Sequence, residues 1–287
     1  MSLKSSPIVR IVSRDKAIKS RFLNVLGVQV LRTVAGRSIY NLRPTFVDET
    51  IKSYVEEVKS EGVVVVTDFL PTDHFDAVRK EYLQIFESHS RELKVLKHGP
   101  NTLEVAALRN FGESLLSNAT KYFFHNTRLI AILEALEKHR LNFSSYSAFH
   151  RAFERLTQGS SGEKDPETEL HSDIFYNTHK AWLYLDDVQM EDGPLVYVKR
   201  SNRLSLTQLY YVYKESCMEN NGSRRIIPSE LERLGLKETV FTCPKNTLVI
   251  ANTFGYHRRL RGQPGRRRPA IHVSLRTNPF RLLWGSS

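Results

Sequence analysis

His171-Ser172-Asp173 sets an imidazole and a carboxylate two positions apart, and a second imidazole, His257, follows 84 residues beyond Asp173. Successive side chains of an extended strand leave opposite faces, so His171 and Asp173 project together and can grip one ion. Two histidines and one carboxylate are the ligand set of a non-haem Fe(II) oxygenase centre, which keeps positions open for a co-substrate and O2. Arg268 stands eleven residues past His257, inside Arg266-Arg267-Arg268. Its planar fork suits a carboxylate, which points to the dicarboxylate 2-oxoglutarate as co-substrate. The expected catalytic and metal-binding residues are therefore His171, Asp173 and His257, with Arg268 as the co-substrate anchor. Asp173 also speaks against halogenation, because a coordinating halide needs the position that the carboxylate fills. Hydroxylation is the expected outcome, with desaturation or ring chemistry as variants.

These residues need strands to position them. Leu260-Arg261-Gly262-Gln263-Pro264-Gly265 reads as a turn, so the chain is expected to double back after His257 into a neighbouring antiparallel strand. Along that strand Arg268, Ala270, His272 and Ser274 share one parity, while Pro269, Ile271, Val273 and Leu275 share the other. The second face packs and the first can line a polar pocket. Likewise Lys180, Trp182, Tyr184 and Asp186 alternate with Ala181, Leu183 and Leu185, which makes Trp182 and Tyr184 candidate walls. His150 and Arg151 are further candidates, with structural roles favoured. His179 and His272 read as strand or pocket histidines with ordinary hydrogen bonds. Gln158 to Glu169, rich in Gly and Ser, reads as a loop that leads into the metal motif and could act as a lid.

The remaining pattern is α+β with a mainly β core. Helices are expected from Asp48 to about Ser60, after Pro71, and from about Glu113 to His139; Val63–Val66 reads as a buried strand. After Leu141 the texture turns to short β-rich runs, Leu141–Tyr146, Ala148–Leu156, Lys180–Asp186, Leu195–Val198, Val240–Thr242, Thr247–Ala251 and Ala270–Arg276. Many short strands between turns indicate an antiparallel sandwich or barrel. Residues 1–43 then form a basic helical extension, and residues 44–287 a single jelly-roll domain buttressed by helices.

From Val63 to about Leu275 the chain resembles the phytanoyl-CoA dioxygenase family of Fe(II)/2-oxoglutarate-dependent oxygenases. The resemblance rests on Gly62-Val63-Val64-Val65-Val66, His171-Ser172-Asp173, Trp182 opening a strand that ends in Asp186-Asp187, Asp192-Gly193-Pro194-Leu195, Pro244-Lys245-Asn246-Thr247-Leu248-Val249, His257, and Arg268 at the family's offset. It implies a double-stranded β-helix, iron held by His171, Asp173 and His257, Arg268 on the C5 carboxylate of 2-oxoglutarate, and Trp182 as an aromatic near the cofactor. The chain departs from the family at Lys199-Arg200-Ser201-Asn202, where a Pro-Gly-Ser-His turn is common, so no contact is carried over there.

The net charge of +11 is concentrated at the ends: residues 1–43 carry +8, and residues 257–287 hold eight arginines and no acid. A nucleic-acid domain more often spreads its cations through the fold, and no aromatic ladder interleaves these arginines, so a nucleic-acid oxygenase is the lesser reading. A non-catalytic jelly-roll binding protein is a third. Ser13 to Ala35 reads as one basic amphipathic helix, with Phe22, Leu23, Leu26 and Leu31 on its apolar side. It is expected to pack on the domain or to touch an anionic membrane. A small-molecule, acyl or lipid-linked substrate is the expected partner. Two cysteines, Cys217 and Cys243, suit no disulfide framework, so a reducing cytoplasm is the expected compartment. No signal peptide or spanning segment is expected, since Phe22–Leu31 is too short and interrupted.

Overall fold

The computed structural model describes residues 11, 13–15, 17–87, 95–98, 102–106, 117–143, 149–157, 165–218 and 224–283. Its strands are β1 (Val63–Val66), β2 (Val95–His98), β3 (Thr102–Ala106), β4 (Phe149–Thr157), β5 (His171–Ser172), β6 (His179–Tyr184), β7 (Leu195–Val198), β8 (Arg224–Arg225), β9 (Glu238–Phe241), β10 (Thr247–Asn252), β11 (His257–Arg259) and β12 (Arg267–Leu275). They form two antiparallel sheets, β1-β10-β6-β12-β4-β3-β2 and β8-β5-β11-β7-β9. The period-two pattern decides what each face meets. Ala181 and Leu183 of β6, Ile250 of β10 and Ile271 and Val273 of β12 turn outward into the main core against helices. Trp182, Tyr184, Val249 and Ala270 turn inward, together with Leu195 and Tyr197 of the smaller sheet. Each fully buried aliphatic side chain contributes about 1.5–3 kcal/mol, so the outer layer fixes the strands whose inner faces form the site.

That outer layer comes from helices α3 (Glu49–Glu61), α4 (Thr72–Glu87), α5 (Asn118–Phe124) and α6 (Thr127–Glu137), which follow α1 (Arg21–Val25) and α2 (Val28–Leu42). Asp48 caps α3, its carboxylate accepting from the Thr50 N–H at 2.8 Å. Gly62 ends α3 at φ +90°, in the left-handed region that favours glycine. The single helix expected over Glu113–His139 is two helices among the described residues, because the Asn126 side chain caps α6 by accepting from Leu129 N–H. Residues 113–116 lie outside the described residues, as do 144–148, and Leu141–Phe143 form no strand. Among the described residues the β-rich half also holds three helices that the pattern does not predict: α7 (Leu206–Cys217), α8 (Pro228–Arg233) and α9 (Pro279–Leu283). The Ser205/Gln208 capping box marks the first of them.

The N-terminal helix departs most from its pattern. Gly27, at φ +78°, breaks it into α1 and α2. Its apolar residues face outward, with Phe22 72%, Leu26 60% and Leu31 67% exposed, while Asn24, Gln29, Arg32 and Thr33 are buried. Hydrogen bonding explains the inversion. Asn24 Nδ2 donates to the carbonyls of Ile18 and Ser216, each at 2.7 Å, and Gln29 Oε1 accepts from Ile18 N–H at 3.1 Å. The Arg32 guanidinium lies 3.7 Å over the Phe175 ring, and Arg37 donates to the Asn202 carbonyl at 2.9 Å. These side chains satisfy backbone groups that packing would otherwise orphan. Among the described residues no helix is long and apolar enough to cross a membrane.

The return after His257 also differs from expectation. The turn that includes Gly265, at φ +81°, does not join neighbouring strands. It carries the chain from β11 in the smaller sheet to β12 in the larger one. Arg268 therefore approaches the histidines from the opposite wall rather than from beside them.

Candidate metal centre

In the smaller sheet His257 lies directly opposite His171, with ring centroids 4.5 Å apart. Asp173 N–H donates to the Thr253 carbonyl at 3.0 Å and Ser172 Oγ to the Phe254 carbonyl at 2.8 Å, which ties the end of β5 to the turn before β11. Donor atoms of His171, Asp173 and His257 lie within 4.8 Å of one another. Both Nε2 atoms stand 3.7 Å from Asp173 Oδ1. Nδ1 of His171 is 2.8 Å from the Glu169 carbonyl and Nδ1 of His257 is 3.0 Å from the Gly255 carbonyl. A carbonyl only accepts, so Nδ1 carries the proton in each ring and Nε2 offers its lone pair to the shared centre. Two imidazole lone pairs and a carboxylate oxygen converging in this way fit a divalent ion.

Electrostatics agree with that fit at His257 and Asp173, while at His171 a bound cation has to displace a proton that Glu167 favours on Nε2. Burial, then the neighbouring His171, pushes His257 down to about 4, leaving it neutral at physiological pH. Burial alone would raise the Asp173 carboxyl, but Lys180, with Nζ 2.8 Å from Oδ2, and the two imidazoles outweigh it and hold it well below the usual range. Burial opposes charge on His171 too, yet Glu167, 3.4 Å from Nε2, and Asp173 hold its pKa above the ordinary value. The sequence shows Lys180 only as a residue sharing a face with Trp182 and Tyr184, and Glu167 only as part of the loop before the metal motif. The parity of Lys180 with Trp182 and Tyr184 was the available signal; Glu167 had none, because its approach depends on the short helical turn Pro166–Thr168.

The two sheets enclose a cavity of about 610 Å³, lined by all three ligand candidates and by Trp182, Tyr184 and Arg268. Arg268 is buried, donates to the Gly193 carbonyl, lies 3.9 Å from the Glu154 carboxylate and sits 5.5 Å over the Tyr184 ring. Its Nε has no partner. A buried guanidinium that lines a cavity with one N–H still unpartnered is suited to a bound carboxylate.

The other histidines and arginines divide clearly. His179 is paired with buried Glu137 at 2.7 Å, away from the ligand group. His150 lines the cavity, whereas Arg151 turns away and donates to the Phe143 carbonyl at 2.8 Å. His272 lines the cavity without the ordinary hydrogen bonds expected of it. Arg258 pairs with Glu238 at 2.6 Å, Arg266 with Asp192 at 2.8 Å, and Arg259 with Asp165. Arg200 pairs with Glu61 at 2.9 Å, Arg225 with Glu169 at 3.0 Å, and Arg203 donates to the Ser60 carbonyl at 3.1 Å. Of the expected loop, residues 158–164 lie outside the described residues.

Gly255 keeps the turn before His257 tight. A Cβ there would fall 2.0 Å from the Tyr197 hydroxyl, which itself donates to the Asn252 carbonyl at 2.7 Å. Gly255→Ala is expected to cost about 1–3 kcal/mol of stability through overpacking and to weaken metal binding, because the carbonyl that orients His257 must move. Thermal unfolding with and without added Fe(II) checks this; an unchanged metal-induced shift would refute the second part.

A two-sheet jelly roll that encloses two imidazoles, a carboxylate and a buried arginine defines a metal-dependent oxygenase of the double-stranded β-helix class. The sequence profile of the phytanoyl-CoA dioxygenase family, PhyH, matches residues 58–233. The chain belongs to this family, and with it to the Fe(II)- and 2-oxoglutarate-dependent oxygenases. No curated protein matches it. Among solved structures it resembles the epimerase SnoN in complex with Fe3+, alpha ketoglutarate and nogalamycin RO, at 14% identity and TM-score 0.52, over 78% of this chain and 82% of that one. HygX from Streptomyces hygroscopicus, with nickel, 2-oxoglutarate and hygromycin B bound, matches at 14% identity and TM-score 0.49, over 79% of this chain and 86% of that one.

Proposed function

We propose that the chain hydroxylates an aliphatic C–H of a small, carrier-linked or lipid-linked metabolite, with His171, Asp173 and His257 holding Fe(II) and Arg268 holding 2-oxoglutarate. The observation that carries this reading is the convergence of both Nε2 atoms on Asp173 Oδ1, in a cavity shared with a buried arginine. When bound, iron, 2-oxoglutarate and O2 supply the oxidant that removes the substrate hydrogen. The chain's residues do the positioning. The Glu169 and Gly255 carbonyls fix the two imidazole tautomers. Lys180 holds Oδ2 of Asp173 and so leaves Oδ1 facing the histidines. Trp182 and Tyr184 close one wall.

The nucleic-acid reading, which needs Arg258, Arg259, Arg261, Arg266 and Arg267 for phosphates, loses support because Arg258, Arg259 and Arg266 already pair with carboxylates. The test is succinate release from 2-oxoglutarate across candidate substrates, with product analysis to separate hydroxylation from desaturation, ring closure and epimerisation. Absence of the metal-to-ligand absorption band with anaerobic Fe(II) and 2-oxoglutarate would overturn the reading.

We also propose peripheral contact with an anionic membrane through α1 and α7. Phe22, Val25 and Leu26 are exposed beside exposed Tyr210 and Tyr213, whose helix meets α1 where Tyr213 Oη donates to the Val25 carbonyl at 3.3 Å. Residues 1–43 carry a net charge of +8, of which Arg32 and Arg37 are engaged inside the domain; each remaining cation that lies near an anionic bilayer contributes on the order of 1 kcal/mol. Removing the segment is a poor test, since Asn24, Arg32 and Arg37 brace the domain. The double variant Phe22→Ser/Leu26→Ser is instead expected to reduce co-sedimentation with phosphatidylserine vesicles about tenfold or more. Equal sedimentation of variant and parent would sink the idea.

A further inference from the structure

His272 is only 8% exposed, yet neither ring nitrogen has a hydrogen-bond partner. Its nearest carboxylate, Glu154, is 3.9 Å from Nδ1, too far for a hydrogen bond. The ring stacks on Trp182, with centroids 5.5 Å apart and planes at 11°, and lines the cavity. Beyond it on the same face stand Ser274, flanked in register by His150 and Lys180, and then Arg276. Arg276 lines the cavity and is exposed at its edge, and it has no ion-pair partner among the described residues.

The carboxylates at this cavity are otherwise engaged. Asp173 faces Lys180 and the histidines, Glu167 faces His171, Glu154 lies beside Arg268, and Asp15 pairs with Arg281 at 3.3 Å and accepts from Tyr176 Oη at 2.9 Å. Burial, then the neighbouring Lys180, His150 and Arg276, outweighs Asp173 and holds His272 well below its usual pKa. It is therefore a neutral ring with one N–H to donate and one lone pair.

We propose that the stretch of cavity wall from His272 to Arg276 is a subsite for an anionic group of the primary substrate, a phosphate or a carboxylate, paired with Arg276 and hydrogen-bonded by His272. This rests on reading the site as an Fe(II)/2-oxoglutarate oxygenase. The subsite is separate from the co-substrate anchor. Arg268 and Arg276 are eight residues apart on one extended face, so their Cα atoms are roughly 26 Å apart, and one small dicarboxylate cannot serve both. The substrate class that follows is a small molecule or carrier conjugate with a negative group a short distance from the C–H that reacts.

The experiment uses the full chain loaded with Fe(II) and saturating 2-oxoglutarate without O2, with inorganic phosphate and acetate as probes. Paramagnetic iron enhances the nuclear relaxation of a probe held nearby, and titration reports its affinity. Saturable enhancement is expected for at least one probe, and which one separates phosphate from carboxylate. Arg276→Gln is expected to weaken it about tenfold or more, His272→Phe to weaken it while keeping the ring stack, and 2-oxoglutarate affinity to stay within about twofold in Arg276→Gln. No saturable effect from either probe, or equal binding in Arg276→Gln, overturns the subsite. Loss of the iron–2-oxoglutarate band in the parent protein would instead overturn the reading beneath it, so the two failures are distinguishable.

Discussion

His257→Ala is expected to abolish retention of Fe(II) through anaerobic desalting and to reduce succinate formation to background, while the metal-free protein loses less of its thermal unfolding midpoint than Asp173→Ala does. The asymmetry follows from charge. His257 is neutral, with its pKa pushed down to about 4, so removing it strands no ion. Asp173→Ala should lose iron equally but also destabilise the fold, because Lys180 Nζ, 2.8 Å from Asp173 Oδ2, is left charged without a counter-ion in a largely buried position. Breaking a buried pair costs about 3–5 kcal/mol. Adding Lys180→Met to Asp173→Ala should restore much of the stability and none of the iron. Full turnover by His257→Ala would overturn the ligand assignment.

Arg268→Ala is expected to weaken 2-oxoglutarate binding on the order of a hundred- to five-thousandfold, the equivalent of about 3–5 kcal/mol for a charge left unpaired in a buried site. Arg268→Lys should recover only part of it, because an ammonium is a point charge and cannot reproduce the fork. The check is titration of the Fe(II)–2-oxoglutarate absorption band, with iron content measured in parallel. Arg268 touches none of the three ligand candidates in the contacts described, so its variants should hold iron normally. If they lose iron as well, its role is structural rather than anchoring.

Much of this centre was legible because its signals are local. The two-residue spacing of His171 and Asp173 fixes a shared face in any extended backbone, and the parity of Arg268, His272 and Ser274 against Ile271 and Val273 fixes which side of β12 faces the cavity. The same alternation on β6 sends Trp182 and Tyr184 inward. Other features depend on partners distant in sequence. The pairing of Lys180 with Asp173 and the approach of Glu167 to His171 require β6 and the Pro166–Thr168 turn to meet β5. The break between α5 and α6 needed only Asn126, a capping signal that the long apolar periodicity obscured.

Side-chain chemistry and strand periodicity are properties of short segments, so the candidate ligand set, the inward faces and much of the helical buttress could be read from them directly. The crossing between sheets after His257, which sets Arg268 on the wall opposite the histidines, depends on how distant strands pack and has no local signal. Only the tertiary structure turned the N-terminal helices polar side inward, since Asn24, Gln29 and Arg32 find hydrogen-bond and ring partners there that the apolar pattern could not show. And only it left His272 buried without a partner while Arg276 lines the same cavity, because satisfaction of a polar group depends on everything that surrounds it in space.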